Sequence, residues 1–253
     1  MIHGFTYDGH VHTSLGQGSD PPAECLRAAQ AAGLAAVAFT DYYEVEESQV
    51  PVRLEAYRRA AGERPVRVVA GAECAILDPL GRLTLAESAA RPFALVLARL
   101  SSLTEGVARS TPVRLEALLE NLRGALVSAC RRPHVNVLAL PFNLGRFSAA
   151  LTPGQIPLSL LEELGGVMRE QEVACELANS IWSWYPELPP EDFLEEYARL
   201  LMAFSREGVK FVVGSDAHAA GAVGNLQFVH RLAAAAGLEK TQFVDIARLP
   251  ALN

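Results

Sequence analysis

The sequence predicts an α/β barrel, in which a ring of parallel strands is covered by helices. Strand-like and helix-like segments alternate along the whole chain, which is typical of a parallel sheet. About seven such units in 253 residues favour a closed TIM-like (β/α)7 barrel over an open sheet. Acidic and histidine residues follow several of the strands, where the functional groups of such barrels lie.

Short runs of apolar residues predict the strands. The runs are almost continuously apolar and do not alternate with polar residues, as expected for parallel strands that are buried on both faces. The predicted strands are residues 5–10, 34–40, 66–73, 93–98, 135–140, 173–178 and 210–215.

Stretches with helical periodicity separate the strands. Gly33 ends the first helix, because glycine is favoured just after a helix C-terminus. Pro133 ends the helix predicted over residues 113–132. The predicted helices are residues 21–32, 54–62, 113–132, 158–171, 191–208 and 222–236.

Composition limits the class of protein. Half of the residues are hydrophobic, which is enough for the core of one domain over residues 1–253. The formal net charge of −7 and the lack of a basic patch argue against a nucleic-acid partner. No apolar run approaches the roughly 20 residues that span a bilayer, so we expect no membrane partner. Scattered cysteines and the lack of a signal peptide predict a cytoplasmic protein with reduced thiols. The oligomeric state stays open.

Ligand-type side chains at strand ends predict a metal site. His10 and His12 are two positions apart, as are Asp216 and His218, so each pair shares one face of an extended strand. Glu73 ends a third strand. Imidazole nitrogens and carboxylate oxygens suit zinc, manganese or iron, and a cation would convert the repulsion between two carboxylates into attraction. The predicted ligands are His10, His12, Glu73 and Asp216.

Further residues are expected around this site. Asp8 and Asp41 are placed to orient the imidazoles of the ligands, and Asp41 or His218 to transfer a proton. Arg146 follows a predicted strand and is a candidate for binding a substrate phosphate, with Arg99 as a weaker one. An aromatic cluster has two open interpretations: it walls a substrate pocket, or it packs a loop onto the barrel. It consists of Trp182, Trp184 and Tyr185.

Six segments, in order, resemble the motifs of the PHP (polymerase and histidinol phosphatase) domain family. The first, third and last matches together are fairly specific, whereas any one alone is weak. The segments are Asp8-Gly9-His10-Val11-His12-Thr13, Phe39-Thr40-Asp41-Tyr42, Gly71-Ala72-Glu73, Val137-Leu138-Ala139-Leu140-Pro141, Glu176-Leu177-Ala178-Asn179-Ser180 and Gly214-Ser215-Asp216-Ala217-His218. The resemblance implies a distorted seven-stranded barrel and a metal-dependent phosphoesterase, whose family members commonly hold three metals.

The departures from the family pattern imply a reduced centre. Tyr42 and Leu140 stand where the family carries histidines, and no histidine lies between His12 and His134. We therefore expect one divalent ion, or at most two if Tyr42 serves as a ligand. Tyr42 is otherwise expected to fill the vacated space beside the substrate.

The resemblance implies hydrolysis of a small-molecule phosphate ester, with activity weaker than or different from that of full family members. Two alternatives remain open at this point: a non-catalytic protein that binds a metal, a ligand or a partner, and an enzyme of other chemistry on the same barrel. Three histidines are not expected to take part in catalysis, namely His3, His134 and His230.

Overall fold

The predicted fold class is confirmed: parallel strands form a nearly closed barrel with helices on its outside. The computed structural model describes residues 4–43, 49–62, 65–148 and 151–252. The strands are β1 (Tyr7–Val11), β2 (Ala36–Phe39), β3 (Tyr42–Tyr43), β4 (Arg67–Ile76), β5 (Leu95–Leu100), β6 (Val137–Leu138), β7 (Ala174–Ala178) and β8 (Phe211–Gly214). Each of the seven predicted strands is present, and β3 is an additional short one.

The strand order follows the chain. The path runs β1-β2-β4-β5-β6-β7-β8, and β3 pairs with β4 beyond the point where β2 ends. Backbone hydrogen bonds join the first and last strands at their carboxyl ends, where Asp216 N–H donates to the His10 carbonyl at 3.0 Å and His12 N–H donates to the Ala217 carbonyl at 2.8 Å. The two ends of the chain are therefore joined at the edge that carries the predicted ligands.

Seven α-helices are described. They are α1 (Pro22–Ala31), α2 (Gln49–Ala61), α3 (Glu87–Ala90), α4 (Leu115–Cys130), α5 (Leu158–Glu170), α6 (Pro190–Arg206) and α7 (Gln227–Ala235). The last helix begins five residues later than predicted, because Ala220–Ala222 forms a 3₁₀ turn and Gly224 adopts a left-handed φ of +77°. The short helix α3 has too few residues to show a periodic pattern.

The core lies between the strands and the helices. The described strands are buried along their length except for Arg67 and the partly exposed Arg99. The four cysteines are buried and unpaired, as predicted. Within residues 4–43, 49–62, 65–148 and 151–252, no helix has both the length and the apolar character needed to cross a membrane.

Candidate metal centre

Strand geometry brings the two histidines of β1 together. His10 and His12 alternate along an extended segment, so their rings lie on the same side, and their Nε2 atoms are 3.0 Å apart. Both side chains are buried. Two nitrogens this close, inside the protein, form one half of a ligand set.

Glu73 and Asp216 complete the set. His10 Nε2 lies 3.4 Å from Glu73 Oε1 and 3.5 Å from Asp216 Oδ1. His12 Nε2 lies 3.7 Å from Glu73 Oε2 and 3.3 Å from Asp216 Oδ1. For metal bonds of about 2.0–2.2 Å, ligand atoms at the corners of a tetrahedron are about 3.3–3.6 Å apart. Both imidazoles thus lie at about this spacing from the two carboxylates, and His10, His12 and Glu73 form a group that could hold a metal ion.

Glu176 orients the first of these imidazoles. His10 Nδ1 lies 2.6 Å from Glu176 Oε1, and because a carboxylate only accepts, Nδ1 carries a proton; in the neutral ring the Nε2 lone pair then faces the other ligands. The second oxygen of Glu176 accepts the Leu140 N–H at 3.0 Å. Glu176 thus sets the tautomer that metal binding requires.

Gly214 makes room for this pair. A Cβ at Gly214 would lie 2.5 Å from the His10 Cβ and 2.7 Å from Glu176 Oε1, which are closer contacts than packed atoms allow. β8 can therefore pass beside the imidazole only because this residue has no side chain.

Asp216 reaches the site through an unusual backbone. Its φ is +55°, a left-handed conformation that aspartate tolerates better than most residues. Its Oδ2 accepts the Ser180 hydroxyl at 2.5 Å, which leaves Oδ1 facing the imidazoles. The left-handed turn after β8 thus points a ligand inward.

The charges of the buried groups depend on one another. Burial by itself would raise the pKa of Glu73 and Asp216, but Arg99 and His10 hold the pKa of Glu73 at about 2, and His10 with His12 holds that of Asp216 well below its usual range. Burial would lower the pKa of His10, yet Glu176, Asp216 and Glu73 raise it well above its usual value. The ionised carboxylates of Glu73 and Asp216 are therefore stabilised by positively charged groups around them.

Arg99 supplies part of that charge. Its Nε lies 2.8 Å from Glu73 Oε1, and its side chain is 14% exposed. Neither of these two atoms has a hydrogen bond of normal geometry, so Glu73 Oε1 is a buried acceptor still open to a cation. The guanidinium carbon lies 4.9 Å from the centre of the Tyr42 ring, and Tyr42 is paired with Glu73 across β3 and β4.

His218 lies at the mouth of the site. Its side chain is 48% exposed, and its ring centre is 4.3 Å from that of His12. Its Nδ1 lies 3.0 Å from the Asp216 carbonyl, which only accepts, so Nδ1 carries the proton in the neutral ring. Two groups here could hold a metal ion, His10 with His12 and Glu73, and His12 with Asp216 and His218, and His12 belongs to both.

Asp8 and Asp41 bind backbone and hydroxyl groups rather than imidazole rings. Asp8 accepts N–H groups of His10, Ser215 and Gly224 and so ties β1 to the segment after β8. Asp41 accepts the Thr13 N–H and hydroxyl at 2.6 Å each and the Tyr57 hydroxyl at 2.5 Å. Asp41 is also fully buried. Because these partners are backbone and hydroxyl groups, the expected hydrogen bonds from Asp8 and Asp41 to the imidazoles of the ligands are not among those described.

A cavity of about 330 Å³ is lined by Tyr42 and Arg99, the two neighbours of Glu73, and by Arg146 and Trp184, among others, but by none of the predicted ligands. Arg146 is exposed, and its Nε donates to the Ser183 carbonyl at 3.0 Å. The aromatic cluster divides between its two interpretations: Trp184 walls this cavity, whereas Tyr185 is buried and packs against Phe193.

The remaining histidines lie elsewhere. His134 lies between α4 and β6, at the end of the barrel opposite the ligands. His230 is exposed on α7 and stacks on Phe5, with ring centres 5.0 Å apart. His3 lies outside the described residues. Leu140 is buried beside the site, and its contact with Glu176 is through the backbone.

Sequence reasoning did not assign roles to Glu176 or, beyond a weak candidacy, to Arg99. Both residues carry the signal that also marked the predicted ligands, namely a charged side chain toward the carboxyl end of an otherwise apolar strand. That signal identifies the edge of the barrel but not the partner of each side chain.

Comparisons with known proteins agree with this architecture. A family model described as the PHP domain matches residues 8–234. A protein of Acetivibrio thermocellus named "Probable phosphatase" is 27% identical over 231 residues, which are 90% of this chain and 86% of that protein. The structure of the histidinol phosphate phosphatase of Lactococcus lactis, solved with zinc, L-histidinol and phosphate, is similar with a TM-score of 0.69 at 15% sequence identity. The similarity covers 97% of this chain and 98% of that one.

Proposed function

Because the chain belongs to the PHP domain family, we propose that it hydrolyses a phosphate monoester of a small molecule with the help of one divalent cation. The observation that carries this proposal is a set of four ligand residues, three of them buried and Asp216 11% exposed, near a cavity that contains two arginines. Their two imidazole nitrogens are 3.0 Å apart and lie 3.3–3.7 Å from a carboxylate oxygen. The name of the Acetivibrio relative and the ligands of the Lactococcus enzyme support the same reaction class.

Charge balance supports a single ion. Glu73, Asp216 and Glu176 contribute three negative charges, and Arg99 contributes one positive charge. The remainder is two negative charges, which one divalent cation neutralises. A second ion at His12, Asp216 and His218 would compete for ligands of the first. Zinc, manganese and iron all suit this mixture of nitrogen and oxygen ligands.

A cation held by His10, His12, Glu73 and Asp216 would polarise a phosphoryl oxygen and activate water for attack. Arg99 lies between Glu73 and the cavity, so its guanidinium is placed to balance the charge that develops on the phosphoryl oxygens. Tyr42 and Arg146 line the same cavity and are proposed to contact the substrate.

We assign the proton transfer to His218 rather than Asp41. With its proton on Nδ1, the neutral ring of His218 presents the Nε2 lone pair at a half-exposed position beside the ligands. Asp41 is buried and its oxygens accept three hydrogen bonds, which hold the loop after β1 in place.

Leu140 favours a second candidate, a non-catalytic protein that binds the ion or a ligand without turnover. Its buried side chain has no group that binds a metal. This candidate shares the ligand set and differs only in the absence of hydrolysis.

Elemental analysis and a phosphatase assay with added zinc, manganese or iron test the proposal. We expect about one ion per chain and hydrolysis of some phosphate monoesters. Asp216→Asn should lower both the ion content and the rate, the latter by roughly 10²–10³-fold, the usual effect of losing a strong electrostatic contact. Asp192→Asn, an exposed position on α6, should change neither.

The outcomes separate the candidates. A bound ion without hydrolysis of any ester on a broad panel would support the non-catalytic protein. A chain that binds no ion, although circular dichroism shows it folded, would contradict both.

A further inference from the structure

The cavity beside the ligands carries positive charge at two places. Arg99 and Arg146 both lie against the indole of Trp184, with guanidinium carbons 6.0 Å and 5.5 Å from the ring centre. The other described residues that line the cavity are neutral: they are Gln17, Tyr42, Ser101, Ser102 and Phe147. Among the residues that the structure describes there, no carboxylate lines the wall.

The two arginines differ in what they already contact. Arg99 is largely buried, and its Nε faces Glu73, so it belongs to the end of the cavity next to the metal ligands. Arg146 is exposed and uses its Nε to bind the Ser183 carbonyl. That bond fixes the plane of the guanidinium, and its terminal nitrogens have the fork geometry that matches a carboxylate or phosphate.

The cavity is also larger than the reacting group needs. Its volume of about 330 Å³ lies at the lower end of the range for small-molecule pockets, roughly 300–1,000 Å³. A phosphoryl group held at the ligands and Arg99 leaves the Arg146 side for the rest of the substrate.

We propose that Arg146 and Trp184 form a subsite for a second anionic group, so that the phosphate ester hydrolysed here carries a carboxylate or another phosphate on its leaving group. This inference rests on the proposed function and names its substrate class. A leaving group with an ammonium, such as histidinol, would instead meet the like charge of Arg146, which disfavours it. The preferred substrate should therefore differ in charge from L-histidinol, the alcohol bound by the Lactococcus enzyme.

Matched esters test the subsite on the metal-loaded protein. 3-Phosphoglycerate is compared with glycerol 3-phosphate for a carboxylate, and fructose 1,6-bisphosphate with fructose 6-phosphate for a second phosphate; histidinol phosphate represents the cationic class. We expect at least one of the two-anion esters to have a kcat/KM about 10–100-fold above its partner, as for one charge-assisted contact. The arm that shows the preference identifies the second anion.

Variants attribute the preference to the cavity. Arg146→Gln should reduce the ratio between paired esters toward one, mainly through KM. Arg91→Gln removes an exposed arginine at the opposite end of β5 and should leave the ratio as it is in the unchanged protein. Equal kcat/KM values within both pairs, or a preference for histidinol phosphate, would overturn the subsite while leaving the phosphatase proposal intact.

Binding measurements test the subsite independently of the proposed function if the protein hydrolyses none of the esters. Absence of turnover contradicts the proposed function, and calorimetric titration with the same esters then tests the subsite directly. Tighter binding of a two-anion ester, lost in Arg146→Gln, would uphold it. Equal affinities within each pair would reject it.

Discussion

Arg99 offsets part of the negative charge of the candidate metal centre. Glu73 faces the two ligand imidazoles, while Arg99 approaches one of the same carboxylate oxygens at 2.8 Å. A largely buried guanidinium at that distance partly neutralises the Glu73 carboxylate, which would otherwise attract a divalent cation more strongly. In the proposed mechanism, Arg99 would therefore influence both the affinity for the ion and the stabilisation of the phosphoryl group.

Replacing Arg99 with glutamine should move these two properties in opposite directions. Loss of the guanidinium makes the site more negative, so the affinity for the divalent ion should rise. The rate of ester hydrolysis should fall by roughly 10²-fold or more, because a charge facing the transition state is lost. Competition with a chromophoric chelator measures the first effect, and steady-state kinetics the second.

Arg109→Gln, at a 69% exposed position, is the matched control and should affect neither property. A parallel fall in affinity and rate in Arg99→Gln would show that Arg99 only holds Glu73 in position.

The ligand candidates could be proposed from sequence because their spacing has a direct geometric meaning. His10 and His12 alternate along one extended segment, and the apolar runs before Glu73 and Asp216 predict strands whose carboxyl ends a closed barrel brings to the same edge, although β4 continues three residues beyond Glu73. The partnership between His10 and Glu176 could not be read in this way. It depends on the packing of β7 and β8 against β1, which no local pattern specifies.

At the scale of elements, β8 is shaped to fit around the ligand strand. Its last residue, Gly214, lies where any side chain would contact His10 and Glu176. The strand can thus run close to β1 and still leave the hydrogen bond between these two residues intact. The identity of one glycine connects the path of a strand with the orientation of a ligand.

We predict that Gly214→Ala destabilises the protein by about 1–3 kcal/mol, the usual cost of overpacking, and also lowers its metal affinity. The added methyl must displace either His10 or Glu176. Denaturant unfolding measures the first effect, and the chelator assay measures the second.

Gly166→Ala is the matched control on α5, where an added Cβ has no neighbour within 4 Å. It should raise stability by about 0.5–1 kcal/mol, because alanine is favoured over glycine in a helix. Equal effects of the two substitutions would contradict the packing role of Gly214.

The elements that follow an apolar pattern in the sequence were predictable, including the two-residue β6, whereas β3 and α3 were not. Each of the seven predicted strands is present, since buried parallel strands are distinct in composition from the amphipathic helices between them. β3, with two residues, is defined by its pairing with β4, and α3, with four, is too short to show a periodic pattern. The late start of α7 reflects two nearby glycines that a periodicity pattern does not register.

At the scale of the whole molecule, the ligands span the place where the barrel closes. β1 provides His10, the residue after it is His12, and Asp216 follows β8. A cation bound there would contact both ends of the sheet, so its binding energy would add to the stability of the closed barrel.

Removing the ion with a chelator should therefore lower the melting temperature. At a free-ion concentration of about 100 times Kd, binding stabilises the native state by about 2.7 kcal/mol. For a chain of this size that corresponds to roughly 5–10 °C. Differential scanning calorimetry, with and without chelator, measures the shift.

Asp216→Asn should melt at nearly the same temperature in both conditions. A melting temperature of the unchanged protein that responds neither to chelator nor to added metal would contradict a role for the ion in closing the barrel.

The hydrogen bonds between β1 and the segment after β8 join residues that are more than 200 positions apart. Such distant partners meet late, because the long intervening loop opposes their encounter. During synthesis on the ribosome, His10 and His12 emerge about 200 residues before Asp216. An ion held by all of the proposed ligands could therefore be retained only once the segment around Asp216 has been translated, and ion uptake would mark the stage at which the barrel is able to close.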